Sequence, residues 1–275
     1  MRIRLQHRTA YIYDDPAGAV IQVFRRTPRN YDGQHVRHWR VDIDQDVQMQ
    51  TIEDAFGNIV NSLSFTRPLD DLSITVQGEV ETREIHGVVR GAIERFPAGL
   101  YLRETHLTQP DGALRKFARD SAGTGEPLER LHKLLAALHT DMECDPKAPE
   151  LPATKALAAE RGTANDMAQV FITAARSLDI PARFIAGYLL HGEANKYSAS
   201  VHAWAEAFVP SIGWIGFDPV EGISPSESHV RVSMALDHLG AAPLRGTAQG
   251  HLEERLEVTV LAEHADHAGF RQQQQ

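Results

Sequence analysis

The chain has 275 residues, 42% hydrophobic and 24% charged, enough apolar material for one large domain or two modest ones and too much for global disorder. A formal net charge of -9, with no basic run interleaved with aromatics, excludes nucleic acid as an expected partner. The single cysteine, Cys144, excludes an internal disulfide and a cysteine-based zinc site.

The first eight residues, MRIRLQHR, lack the apolar stretch of a leader, and no later segment reaches the roughly 18 apolar residues of a membrane span. The expected setting is therefore cytoplasmic, with no membrane partner. Ile3 to Tyr13 alternates in part, and Val36 to Ile43 and Leu72 to Val80 hold β-branched runs of strand length. Asp54-Ala55-Phe56-Gly57-Asn58 is a turn between strands. From Pro97 the periodicity becomes helical: a short helix runs from Gly112 through Phe117, and another carries Leu128, Leu131, Leu134, Leu135 and Leu138 on one face. A proline-rich loop, Asp145 to Pro152, follows.

A further helix opens at Gly162-Thr163-Ala164-Asn165-Asp166, with Met167, Val170, Phe171, Ala174, Ala175 and Leu178 spaced as one buried face. Pro181 ends it, because proline lacks the amide and disfavours helix in the residue before it. Ser200 to Val209 and Trp214 to Asp218 are expected strands joined by a turn at Pro210-Ser211-Ile212-Gly213. Val230 to Met234 and Leu256 to Val260 are expected to be strands, and His264 to Gln275 a mobile tail.

His202 lies on the first strand of that pair, Asp218 ends the second, and a helix start precedes both. Thiol enzymes use such a set: the helix end and an imidazolium stabilise a thiolate, and the carboxylate fixes the imidazole tautomer. Register is the difficulty. If Val209 pairs with Trp214 across a four-residue loop, His202 and Asp218 fall on opposite faces, so a bulge or a different loop length is expected near Pro210 to Gly213.

The runs GTANDMAQVFITAARSLDIPARFIAGYL and SVHAWAEAFVPSIGWIGFDPVEG resemble the bacterial transglutaminase-like family, of the papain-like thiol-enzyme class. The resemblance implies an α+β fold: an N-terminal antiparallel β domain over 1–95, a papain-like core of helices packed on an antiparallel sheet over 96–263, and the tail. It implies a peptide or protein as substrate or ligand; no cofactor is expected, and no metal, for want of a ligand set among the histidines. It places the family histidine at His202, in His202-Ala203-Trp204, and the family aspartate at Asp218, in Gly216-Phe217-Asp218-Pro219, with Trp204 beside the substrate.

The family nucleophile is a cysteine two residues after the glycine that opens the helix; here that position is Ala164, which has neither thiol nor hydroxyl. An engineered inactivation, a natural enzyme-like protein without catalysis, and substitution by another residue are the open readings. Thr163 projects about 100° away around the helix and reads as its cap, and Cys144 reads as a structural thiol. Asp166 suits the helix dipole, and Glu206, which shares a strand face with His202 and Trp204, reads as an ion-pair partner. Asn165 stands where many relatives carry glutamine. The pairs His35 and His38, His132 and His139, and His264 and His267 have no ligand context.

Overall fold

The computed structural model describes residues 1–192, 198–249 and 254–264; the expected tail from residue 265 lies outside them. In chain order the strands of the first part are β1 (Arg2–Ala17), β2 (Ala19–Thr27), β3 (Gln34–Ile43), β4 (Gln50–Glu53), β5 (Ile59–Phe65), β6 (Leu69–Thr82) and β7 (Val88–Val89). Then come α1 (Gly112–Ala122), α2 (Pro127–Asp141), β8 (Glu143–Cys144), α3 (Ala153–Ala159), β9 (Arg161–Gly162) and α4 (Ala164–Arg176). The last part holds β10 (Ala182–His191), β11 (Ser198–Val209), β12 (Gly213–Phe217), β13 (His229–Ala235), α5 (His238–Ala241), β14 (Leu244–Gln249) and β15 (Glu254–His264).

Two antiparallel sheets, ordered β15-β1-β6-β3 and β14-β2-β5-β4, face each other. Between them Tyr11, Tyr13, Leu72 and Ile74 of the first sheet pack with Phe24, Leu63 and Phe65 of the second. A third sheet, β13-β10-β11-β12-β7, carries the helices. Strand pairing thus divides the chain differently from the expected boundaries at 95 and 263. β7 closes the edge of the third sheet, whereas β14 and β15 return to pair with β2 and β1. The fold is α+β with antiparallel sheets, as expected.

α4 is the hub of the helical layer. Its start is fixed by a capping box: Thr163 Oγ1 accepts from the Asp166 amide while the Asp166 carboxylate accepts from the Thr163 amide. The sequence implies one buried face, yet Asp166 through Arg176 is buried on every side. The polar residues survive this because each finds partners. Thr173 donates to Gln169 O, and the Arg176 guanidinium donates to Thr108 Oγ1 and to the carbonyls of Tyr101, Ala182 and Leu236. The face of β11 made of Ala203, Ala205 and Ala207 packs in the same core as Phe171, Ala174 and Ala175 of α4, the short side chains letting helix and sheet approach closely.

The N-terminal sheets dock on the far end of the third sheet. Ile3, Leu5 and Val80 pack with Tyr188, Leu190, Val230 and Val232. Gln34 acts as a side-chain rung, donating to Arg231 O and accepting from Arg231 N, both at 2.8 Å. His7 is buried in this seam, its Nδ1 at 2.9 Å from Tyr188 Oη, and burial, aided by the nearby Arg26 charge, pushes its imidazole down to about 3.

A histidine kept neutral by folding penalises the folded state once the unfolded chain begins to bind the proton. Stability contributed at this seam is therefore full above about pH 6.5 and is lost as pH falls toward about 3. Chemical denaturation between pH 7 and 4 measures this slope. His7→Gln is expected to flatten it, and an unchanged slope would show that His7 is not its source.

Candidate active site

The β11–β12 hairpin sets the geometry. Val209 pairs with Gly213, not Trp214, so the loop is the three residues Pro210, Ser211 and Ile212, closed by the Ile212 amide donating to Val209 O at 2.9 Å. Gly213 takes φ of +110°, a conformation open to glycine. This one-residue difference from the simple expectation moves Asp218 to the position after the Phe217–Ala205 pair, across from Trp204 and diagonal to His202 on the same face.

The two side chains meet there. His202 Nε2 lies 2.5 Å from Asp218 Oδ2, with His202 5% exposed and Asp218 fully buried. Asp218 Oδ1 accepts from the amides of Val220 and Glu221 at 2.9 and 3.2 Å. Burial works to raise this carboxyl, but the hydrogen bonds from His202 and a second histidine, His229, outweigh it and hold it well below the usual carboxylate range. The group is thus an anion that only accepts, so the His202 Nε2 that faces it carries a proton.

The start of α4 follows a short strand pair. The parallel pair β8–β9 sets Cys144 opposite Gly162, two residues before Ala164, the first, half-buried residue of α4. Burial raises the Cys144 thiol, and Asp218, Glu221, Asp145 and Asp166 push it further the same way. Burial first and these carboxylates second therefore keep the thiol protonated, a poor nucleophile. Asn165 donates to Glu150 and faces His238, and Asp166 accepts the Leu151 amide, which ties the loop before α3 to the helix start.

Trp204, expected beside the substrate, is only 2% exposed. Its ring stacks against His202 and meets His229 edge-on, so it is a packing wall with almost no surface left for a ligand. Glu206 is an ion-pair partner, holding Arg183 and Arg231 at 2.7 Å each. Arg183 in turn lies 3.9 Å from the Trp214 ring centroid.

His229 escapes a reading of the sequence because β13 is irregular. Met234 pairs with Ile185 and Ala186 with Ser233, but Gly187 pairs with Arg231. The skipped residue turns Arg231 and His229 onto the face of Met234, which strict alternation forbids. With His202 and Asp218, His229 completes a buried trio whose candidate ligand atoms lie within 4.8 Å of one another.

Residues 3–81 match the family profile described as the bacterial transglutaminase-like N-terminal region, and residues 115–219 that of the transglutaminase-like superfamily. A crystal structure of a candidate cysteine protease from Cytophaga hutchinsonii is similar in fold, with a TM-score of 0.73 at 18% identity over 95% of this chain and 91% of that one. An uncharacterized protein of Mycobacterium leprae is 26% identical over 94% of this chain and 97% of its own length. An uncharacterized Mycobacterium tuberculosis protein is 25% identical over 89% of this chain and 87% of its own. A helix-bearing antiparallel sheet with a strand-borne imidazole and carboxylate defines the class of protein. On both matched regions, the chain belongs to the transglutaminase-like family.

The wall beside His202 depends on Gly187, paired opposite it: a methyl group there would lie 2.7 Å from the Trp204 ring and 2.1 Å from Val230 O. Gly187→Ala is expected to cost about 1–3 kcal/mol by overpacking and to shift the near-ultraviolet circular dichroism of Trp204. Unfolding curves and spectra identical to those of the parent would contradict this account.

Proposed function

We propose that the chain is a transglutaminase-like protein of the cysteine acyltransferase or amide hydrolase type whose nucleophile position is occupied by Ala164, and that it performs no covalent chemistry as it stands. The observation that carries this reading is the buried His202–Asp218 hydrogen bond in a chain whose capped helix α4 begins with a methyl-bearing alanine. The ligand class is a peptide or protein presenting an amide. In the alternative reading, the chain is a natural non-catalytic module that keeps the cleft to bind such a peptide or protein.

With cysteine at 164, the chemistry follows from the parts. His202 Nδ1 takes the thiol proton and the sulfur attacks an amide carbonyl. Backbone amides at the start of α4 hold the oxyanion, and the C–N bond breaks as His202 returns the proton to the leaving amine. Water resolves the thioester to an acid, or an amine resolves it to a new amide. Asp218 keeps the ring oriented and balances its transient positive charge.

Ala164→Cys tests the assignment. The new thiol, at a helix start beside an imidazole, is expected to react with iodoacetamide at pH 7 at least about ten times faster than Cys144, read by peptide mass mapping. The variant is also expected to turn over a glutamine or peptide amide that the parent leaves intact. Labelling without turnover would favour the binding module, and turnover by the unmodified chain would overturn the proposal.

A further inference from the structure

His229 takes no part in the proposed chemistry, yet it is buried, and its Nε2 sits 3.0 Å from the same Asp218 oxygen that His202 contacts. We infer that His229 is a positioning residue, donating from Nε2–H to Asp218 Oδ2 and thereby holding the carboxylate where His202 meets it.

The tautomer follows from the turn that precedes β13. The Ser226 amide points at His229 Nδ1 from 3.1 Å, and the His229 amide donates back to Ser226 O at 3.1 Å. A backbone amide can only donate, so Nδ1 is the acceptor and the ring proton resides on Nε2. That nitrogen faces a carboxylate that can only accept. Asp218 thus receives four donors: two imidazoles on Oδ2, and the Val220 and Glu221 amides on Oδ1.

The turn is itself seated. Pro225 lies against Gly216 on β12, where a Cβ would come within 2.7 Å of the proline ring. The shifted register of β13 then brings the His229 ring onto the Asp218 face, where Trp204 packs edge-on against it with centroids 5.3 Å apart. Backbone, proline and indole together leave the imidazole one orientation.

The trio has the spacing of metal ligands but not their chemistry. A metal needs a lone pair on Nε2, and the Ser226 amide has already assigned that nitrogen a proton. The 2.5 Å separation of His202 Nε2 and Asp218 Oδ2 is also shorter than the about 3.3 Å between two ligands of one tetrahedral zinc ion. The group is a hydrogen-bonded clamp.

The inference rests on the proposed function only for what His202 Nδ1 faces; the clamp exists whatever stands at 164, so the two fail separately. Long-range imidazole nitrogen–proton correlation on the isotope-labelled chain tests it. His229 is expected to show a protonated Nε2 and an unprotonated Nδ1, and the His202 Nε2–H to resonate at low field with slow exchange. His229→Phe, which keeps a ring against Trp204, is expected to speed that exchange at least about ten-fold, and His229→Gln, which can still donate, to restore protection. One equivalent of zinc is expected to leave both ring protons in place. An Nδ1-protonated His229, unchanged exchange in the phenylalanine variant, or loss of both protons to zinc would each overturn the inference. If the phenylalanine variant does not fold, the tautomer and zinc results on the parent chain decide.

Discussion

A carboxylate with no exposed surface is the constraint around which the third sheet is arranged. Leaving an anion such as Asp218 dry costs several kcal/mol unless its lone pairs are met, and here they are met by four donors from three parts of the chain. Two of these, the Val220 and Glu221 amides, come from the tight turn after β12, where Gly222 N donates back to Asp218 O. The other two come from strands two places apart in the sheet, β11 and β13. Hairpin register, the irregularity in β13 and the Pro225 turn all have to be right for one oxygen to find both rings. Removing any single donor leaves a buried charge short of a partner, so the arrangement tolerates little slack.

The same face of the sheet shows the second use of this physics. Glu206, two positions along β11 from Trp204, is buried between Arg183 and Arg231. Burial opposes its ionisation, but the two guanidinium groups overcome that and keep the carboxyl below its ordinary range. Arg183 spends its remaining donors on Glu94 and stacks on Trp214, so its charge is both paired and covered. Gln34 of the N-terminal sheet reads Arg231 through its backbone. The polar row on β11 therefore does two jobs in sequence: it joins the domains at one end and organises the imidazole and carboxylate at the other. The opposite face, of alanines, packs in the core with Phe171, Ala174 and Ala175 of α4.

What the sequence disclosed follows from what local pattern can encode. Caps and turns are written in a few adjacent residues, so Thr163 with Asp166, and the Asp54–Asn58 turn, were legible. The leucine stripe of α2 was legible for the same reason, its period being that of one buried face. β10, the strand beneath His202, was not: nine of its ten residues are buried, and a continuous apolar run has no alternation to detect. β2 and β5 escaped as well. The full burial of α4 was hidden because Gln169, Thr173 and Arg176 look like a solvent face until their distant partners are known. His202 and Asp218 were found through motif, and the shift in register that their contact requires near Pro210 to Gly213 was expected and takes the form of a three-residue loop, whereas His229 depends on an irregularity that no spacing announces.

None of the forces that build the His202–Asp218 pair and the start of α4 passes through the side chain at 164. The helix start is held by Thr163, Asp166 and Leu151, and the imidazole by Asp218 and Trp204. Asp218 stays ionised through its own donors. Nor can the remaining thiol step in. Cys144 is tied by strand pairing to Gly162, and its burial, with the charge of nearby carboxylates, disfavours its thiolate, the reverse of what a helix start and an imidazolium supply. What builds the site is therefore a hydrogen-bonded set around Asp218, complete in itself and independent of the side chain at 164.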